Sequence, residues 1–211
     1  MADCTFCTKF GAHGNPKEWF DKELRSFADF VVVAGVGALV PGYLLVISRA
    51  HFPSAAMLPQ PSWDALPRLR REVIKACRKV FGIQPVIFEH GSSDVRHLAG
   101  GCINHMHLHI LPIKFGIKEE LSHYYDMLEL NNIEDIRRLR NKKASYLYLQ
   151  NQDGAQYLAE VTDVPSQLIR RIVAKKLGRP YEWDYAGFPE YRFVAETINR
   201  FSPWPMLQGE T

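Results

Sequence analysis

The stretch "NHMHLHILP", residues 104–112, spends three of the chain's 8 histidines in five positions, each separated from the next by one apolar residue. In a strand, successive side chains point to opposite faces, so His105, His107 and His109 line one side while Met106, Leu108 and Ile110 line the other. The apolar side can pack on a core, which leaves the imidazole side for something else. Neighbouring rings on that side stand about 6.5 Å apart along the strand, close enough for two of them to address adjacent atoms of one substrate.

Working outward, "SSDVRHLAGG" (92–101) is a polar, glycine-bearing loop into the histidine strand, and "PVIFEHG" (85–91) is a strand before it. Leu66, Leu69, Val73, Ala76 and Val80 recur at helical spacing, which predicts a helix over 64–81 with Pro67 in its first turn and Gly82 as its stop. Residues 30–47, "FVVVAGVGALVPGYLLVI", are uncharged throughout. Two glycines and the Pro41-Gly42 pair break that run, and its β-branched content favours two buried strands over a membrane helix. "NPKEWFDKELRSFADF" (15–30) suits a capped helix or a strand. Beyond 118 the chain looks helical through "IEDIRRLRNKK". "SYLYLQNQDGAQYLAEV" (145–161) then reads as a β-hairpin around Asp153-Gly154, and helices follow over 165–177 and 190–201. Strand, strand, helix, strand, strand with short links predicts a mainly antiparallel α+β domain, with the segment after 118 packed on it or extending it.

Apolar residues are 46% and charged residues 23% of 211, the composition of a globular chain with a real core. A net charge of +3 demands neither nucleic acid nor a membrane and suits a small anionic ligand. "MADCTFC" has no basic stretch or apolar core of a secretory signal, and four cysteines, two of them in C-x-x-C, read as reduced thiols or metal ligands. The expected location is therefore cytoplasmic.

The C-x-x-C lacks the βαβ setting of a redox pair. Tetrahedral zinc needs two further ligands, and His51, closing an apolar strand, and His105, opening the histidine strand, are anchored on rigid elements. A Cys4, Cys7, His51, His105 set has the ligand types zinc prefers, with two free thiols as the rival reading. The histidine triplet has three readings of its own. Three histidines on one face count against residues without a role. An H-x-H metal site would normally recruit carboxylates, and residues 91–116 contain only Asp94. The third reading is covalent catalysis, in which a neutral imidazole attacks phosphorus and splits a group transfer into two easier steps.

"HMHLHIL" fits the H-φ-H-φ-H-φ-φ signature of the histidine triad (HIT) superfamily of nucleotide hydrolases and transferases. "PGYLLVISRAHF" resembles that family's Pro-x-x-φ-L-V-φ-x-x-x-H segment, and "AGG" stands at its glycine-rich approach. The resemblance covers roughly 4–115. It implies a HIT-like fold of about five strands with flanking helices in a catalytic domain over 1–118, and an extension over 119–211 carrying the hairpin and helices. It also implies that His107 is the nucleophile towards an α-phosphorus and that His109 contacts the phosphate and assists the leaving group. Cys4, Cys7, His51 and His105 match the ligands of the zinc-bearing branch, one structural Zn2+ per chain.

Some positions depart from the pattern. The phosphate-contacting Gln and Ser or Thr are replaced by Gly101 and Cys102, and an acidic ribose contact aligns near Gly35. Ser92, Ser93, His90 or Cys102 are the expected replacement donors. The part beyond 140 resembles the C-terminal portion of CwfJ-type relatives. Its cluster Arg170, Arg171, Lys175, Lys176 and Arg179 reads as a solvated helix face or as phosphate contacts, and Tyr181, Trp183, Tyr185 and Trp204 as core, dimer or pocket aromatics. The expected substrate is a nucleoside phosphoramidate, a dinucleoside polyphosphate or another nucleotide conjugate. The rivals are a transferase or phosphorylase of the same mechanism, a non-catalytic nucleotide-binding module, and an aprataxin-like DNA-end enzyme. The mild charge counts against nucleic acid as a partner, and a homodimer stays open.

Overall fold

A computed structural model describes residues 4–93 and 103–205. The histidine strand is β5 (His107–Leu111), near the middle of one sheet. With β1 (Glu23–Phe27), β2 (Phe30–Ala34), β3 (Leu44–Ser48), β4 (Val86–Ser92), β6 (Leu128–Leu130), β7 (Ser145–Gln150) and β8 (Gln156–Val161), it forms eight strands in the order β1-β2-β3-β5-β4-β7-β8-β6. Every pairing is antiparallel. The sheet expected to have about five strands, with a C-terminal hairpin besides, thus has eight among the described residues. The hairpin β7–β8 joins the sheet by pairing β7 with β4 along its whole length, from Ile87 opposite Gln150 to Ser92 opposite Ser145.

The uncharged run over 30–47 forms β2 and β3, paired from Phe30 opposite Ser48 to Ala34 opposite Leu44. Among the described residues, no helix is long and apolar enough to cross a membrane. Pleating divides the sheet into two faces. Ile87 and Glu89 of β4 point to one, with Tyr148 and Gln150 of β7, and this face is covered by α2 (Gln60–Phe81), whose Arg70 donates to the Tyr148 hydroxyl at 2.8 Å. Leu66, Leu69, Val73 and Ala76 of α2 are fully buried in the main core with Val46, Leu108 and Ile110. The helix begins four residues earlier than expected, so Pro61 fills the first turn and Pro67 lies in the interior. An interior proline costs about 3 kcal/mol of helix stability, which burial of Trp63, Leu66 and Leu69 offsets at about 1.5–3 kcal/mol per large side chain. Gly82, at φ +67°, closes α2 with its N–H on the Arg78 carbonyl, a left-handed cap that glycine adopts without strain.

Phe88 and His90 point to the opposite face, with His107 and His109 of β5 and Leu45 and Ile47 of β3. Here α1 (Thr5–Phe10) packs Phe6 and Phe10 on Val31, Val33 and Ile47 as a second, smaller core. The ambiguous stretch 15–30 resolves into a single 3-10 turn (Trp19–Asp21) and strand β1. The helix expected beyond 118 is three elements: α3 (Lys118–Ser122), strand β6 and a 3-10 helix (Ile133–Leu139). Leu128 and Leu130 pair along the outer edge of β8. The Asn132 side chain then accepts the Glu134 N–H while Asp135 caps back, a box that starts a new helix instead of continuing an old one. The last helices are α4 (Leu168–Lys176) and α5 (Tyr191–Arg200), each slightly shorter than its periodicity suggested.

A candidate active site and metal centre on the histidine strand

Just before β5, His105 turns its Nδ1 towards the N-terminal helix, 3.4 Å from Cys4 Sγ and 3.5 Å from Cys7 Sγ; Cys7 Sγ is 3.3 Å from His51 Nδ1. All four ligand atoms lie within 4.8 Å of one another. A zinc tetrahedron with Zn–S of about 2.3 Å and Zn–N of about 2.0 Å has S···N edges of about 3.5 Å, so the four residues fit the ion in type and in spacing. The rest of the His105 ring is tied down: Nε2–H donates to the Ser48 carbonyl at 2.7 Å, with the Ser48 hydroxyl at 3.2 Å. That bond leaves the lone pair on Nδ1, the atom facing the thiols, and is the usual way a ligating histidine is oriented. Burial pushes His105 down to about 4, with His51 and His107 adding to the shift, so the ring is neutral as a ligand must be. Burial also pushes the Cys7 thiol up to about 11, with Cys4 adding to it. A divalent cation between the thiols reverses that preference, because it binds thiolate.

Two residues further on, His107 Nδ1–H donates to the His105 carbonyl at 2.6 Å. The candidate metal site and the middle histidine thus share one residue, His105, through its ring and its backbone. With Nδ1 occupied, the lone pair of His107 is on Nε2. Burial lowers His107, against the opposing bond to the His105 carbonyl, which keeps the imidazole unprotonated. The Phe6 ring stands edge-on to both His105 and His107, at 5.7 and 5.3 Å between centroids. His109 lies 4.6 Å from the His107 ring, stacks flat on Phe88 at 4.4 Å and 10°, and meets the Tyr43 hydroxyl with Nδ1 at 2.6 Å. It is held well below the ordinary histidine range, first by burial and then by His107, His90 and Arg170.

These groups form the floor of a cleft whose walls are largely apolar: Phe6, Phe10 and Phe20 on one side, Val33, Ala34 and Leu45 on another. Of the donors expected to replace the family's phosphate contacts, His90 lines this cleft, with its ring edge-on to Phe88 at 5.7 Å. Ser92 and Ser93 are not brought to it. The Ser92 hydroxyl accepts from Ser145, and the Ser93 hydroxyl both donates to and accepts from the backbone of Ala144. Cys102 lies outside the described residues. Gly35, near which the acidic ribose contact aligns, ends the strand hairpin with its N–H on the Tyr43 carbonyl.

Three cleft residues escape the sequence reading. Tyr43 follows the Pro41-Gly42 turn, where an aromatic with a polar tip at the mouth of an apolar strand was a usable signal. Lys9 and Asp21 form a 2.7 Å ion pair in the wall, and Asp21 Oδ2 is buried with no hydrogen-bond partner among the described residues. No pattern marked Asp21. A further wall residue, Arg170, comes from α4. The basic cluster divides there: Arg170 is buried and lines the cleft, while Arg171 lies over the Trp183 ring at 3.3 Å and Lys175 is exposed. Of the C-terminal aromatics, Tyr185 reaches the cleft, Trp183 and Trp204 pack against the core, and Tyr181 is exposed. Gly37, at φ +75°, lets the chain pass so close to Tyr185 that a Cβ would lie 2.4 Å from that of the tyrosine.

No protein-family model matches the chain, and no curated protein matches it. Among solved structures, a hypothetical histidine triad nucleotide-binding protein from Sulfolobus tokodaii is similar at 20% identity and a TM-score of 0.42, over 52% of this chain and 68% of that one. A zinc-bound histidine triad family protein from Mycobacterium smegmatis is similar at 19% identity and a TM-score of 0.43, over 67% and 93%. Yeast Ap4A phosphorylase is similar at 11% identity and a TM-score of 0.44, over 83% and 73%. The first two bear the histidine triad name.

Proposed function

We propose that the protein is a histidine-triad nucleotide hydrolase. The observation that carries the reading is the state of His107: a buried, unprotonated imidazole whose Nδ1–H is fixed on the His105 carbonyl, leaving a bare Nε2 on the floor of an apolar cleft. A nucleophile for phosphorus needs that lone pair and that desolvation. In the first step the Nε2 lone pair forms a bond to the α-phosphorus. The bond from phosphorus to the leaving group breaks, and the leaving group departs with its electron pair and takes up a proton from solvent. In the second step water adds to phosphorus, gives up its proton to solvent, and Nε2 recovers its lone pair as the nucleoside monophosphate leaves. His109, beside His107, donates to the phosphoryl oxygens and assists departure. The apolar walls suit a nucleobase, and the unpartnered Asp21 Oδ2 supplies the acceptor for sugar hydroxyls that Gly35 lacks.

Cys4, Cys7, His51 and His105 would hold zinc as a closed, four-coordinate structural site. Its chemistry is to tie the N-terminal helix to the residue before the nucleophile. His105 then presents its carbonyl to His107 from a fixed backbone.

Water is the favoured acceptor over phosphate or a sugar phosphate. A panel of nucleoside phosphoramidates, dinucleoside polyphosphates and nucleotide sugars, followed by mass spectrometry with and without inorganic phosphate, tests the reading. The expected products are nucleoside monophosphates, lost in His107→Ala by several orders of magnitude. Turnover unchanged in His107→Ala refutes it, and diphosphates formed only with phosphate present would make the protein a phosphorylase.

A further inference from the structure

The Arg170 guanidinium is buried and donates to four acceptors, none of them a carboxylate. Nη2 reaches the Gly37 carbonyl at 2.8 Å, Nε the Trp183 carbonyl at 2.8 Å and Gln167 Oε1 at 3.1 Å, and Nη1 the Tyr43 hydroxyl at 3.3 Å. A guanidinium has only donors, so the Tyr43 oxygen accepts from it. The hydroxyl carries one hydrogen, and its short contact, 2.6 Å, is to His109 Nδ1. A ring nitrogen that accepts is unprotonated, and in a neutral imidazole the hydrogen is then on the other nitrogen. With the hydroxyl hydrogen directed at Nδ1, His109 holds its own hydrogen on Nε2. His107 has the opposite arrangement, with its hydrogen on Nδ1 and a bare Nε2. Two adjacent imidazoles, 4.6 Å between centroids, are thus set as an acceptor and a donor.

We propose that Tyr43 and Arg170 are positioning residues that act through His109: the chain Arg170 to Tyr43 to His109 Nδ1 fixes the Nε2–H form, which is the form able to donate to a phosphoryl oxygen or a leaving group. This rests on the nucleotide chemistry assigned above to His107. It gives the C-terminal segment a part in the chemistry, because α4 supplies the charge that sets the order of hydrogen bonds. The arginine is pinned at the same time to the turn after β2 and to the segment after α4, so its position is determined independently of any substrate. Isosteric loss of the tyrosine hydroxyl leaves Nδ1 without its donor. Loss of the guanidinium frees the hydroxyl to turn its hydrogen away.

Two measurements test this in Tyr43→Phe, Arg170→Met, Arg170→Lys and the Tyr43→Phe/Arg170→Met double variant. The first is nitrogen-15 NMR of the His109 ring in ligand-free protein. A bare Nδ1 and a protonated Nε2 are expected in the parent, with a mixture of both forms in Tyr43→Phe and a smaller change in the same direction in Arg170→Met. The second is steady-state kinetics on whichever nucleotide the panel identifies. Turnover should fall about 10²-fold in Tyr43→Phe, the low end for loss of a positioned hydrogen-bond donor, with KM within about threefold and part of the rate recovered in Arg170→Lys. The double variant should be no slower than Tyr43→Phe, because both changes break one chain. A parent His109 protonated on Nδ1, or losses that multiply in the double variant, overturns the relay. The NMR arm needs no substrate: the expected ring states without any nucleotide turnover would uphold the relay and sink the proposed function instead.

Discussion

On the face of β4 turned away from the cleft, between Phe88 and His90, Glu89 is fully buried, accepting the Ala55 N–H at 2.8 Å and the Tyr146 hydroxyl at 2.6 Å. Burial raises its carboxyl from the ordinary 4.5 to about 7, against the opposing pull of those two hydrogen bonds. A carboxyl raised in the folded state binds its proton more tightly there than in the unfolded chain. Its contribution to stability is complete below pH 4.5 and is lost as pH rises through about 7. At about 1.4 kcal/mol per pH unit, the rise amounts to about 3 kcal/mol. Glu89→Gln imitates the protonated acid and cannot titrate. Urea unfolding of both proteins in metal-containing buffer between pH 4.5 and 8 isolates the effect, because every other group cancels in the difference. The gap between variant and parent should move by about 3 kcal/mol in favour of the glutamine variant as pH rises, most of it between pH 5 and 7. A gap that does not change with pH refutes the assignment of a neutral, buried acid on the strand beside β5.

Protein purified without added metal should contain one zinc per chain, and a strong chelator should lower Tm together with activity, since binding energy at a closed site is folding energy; metal-free protein of unchanged Tm contradicts this. Cys7→Ser should abolish stoichiometric zinc, as read by elemental analysis, and any variant retaining full occupancy argues for a different ligand set. Truncation after residue 140 exposes the whole edge of β4 and removes Arg170. The shortened chain should therefore be insoluble or inactive, and a soluble fragment with the parent's substrate ranking would make residues 141–211 a true appendage.

The centre of the fold was legible because its signals are periodic. Alternation in "HMHLHIL" and the two apolar runs gave β5, β2 and β3, and the 3-4 spacing of Leu66, Leu69 and Val73 gave α2. Its first turn was misplaced because Pro67 suggested a start that Pro61 in fact marks. The sheet's full width was not legible. Nothing local in "SYLYLQ" says that it pairs with "VIFEHGS" about 60 residues earlier, and such pairing depends on the pleated surface left open by β5 and α2. The helical reading of 118–143 failed where Asn132 and Asp135 cap a fresh turn, since polar caps interrupt a periodicity without erasing it. In the candidate site, the residues on one strand are marked by their spacing. Tyr43, Asp21 and Arg170 arrive from a turn, a 3-10 segment and a distant helix, and only tertiary packing assembles them. In sequence Arg170 is indistinguishable from its solvated neighbours, because a buried arginine and an exposed one look alike there; its burial follows from four backbone and side-chain acceptors that no local pattern announces.

The most direct measurement is the identity of the covalent intermediate. The protein is mixed with a turned-over nucleotide conjugate, quenched within milliseconds in alkali, where phosphorus–nitrogen bonds to imidazole persist, digested, and mapped by tandem mass spectrometry. The account predicts a nucleoside monophosphate on the peptide containing His107, attached at that residue, present before steady state and absent from His107→Ala. A nucleotidyl group on His109, His105 or any other residue, or full turnover without an enzyme-bound nucleotide at any time point, would contradict it.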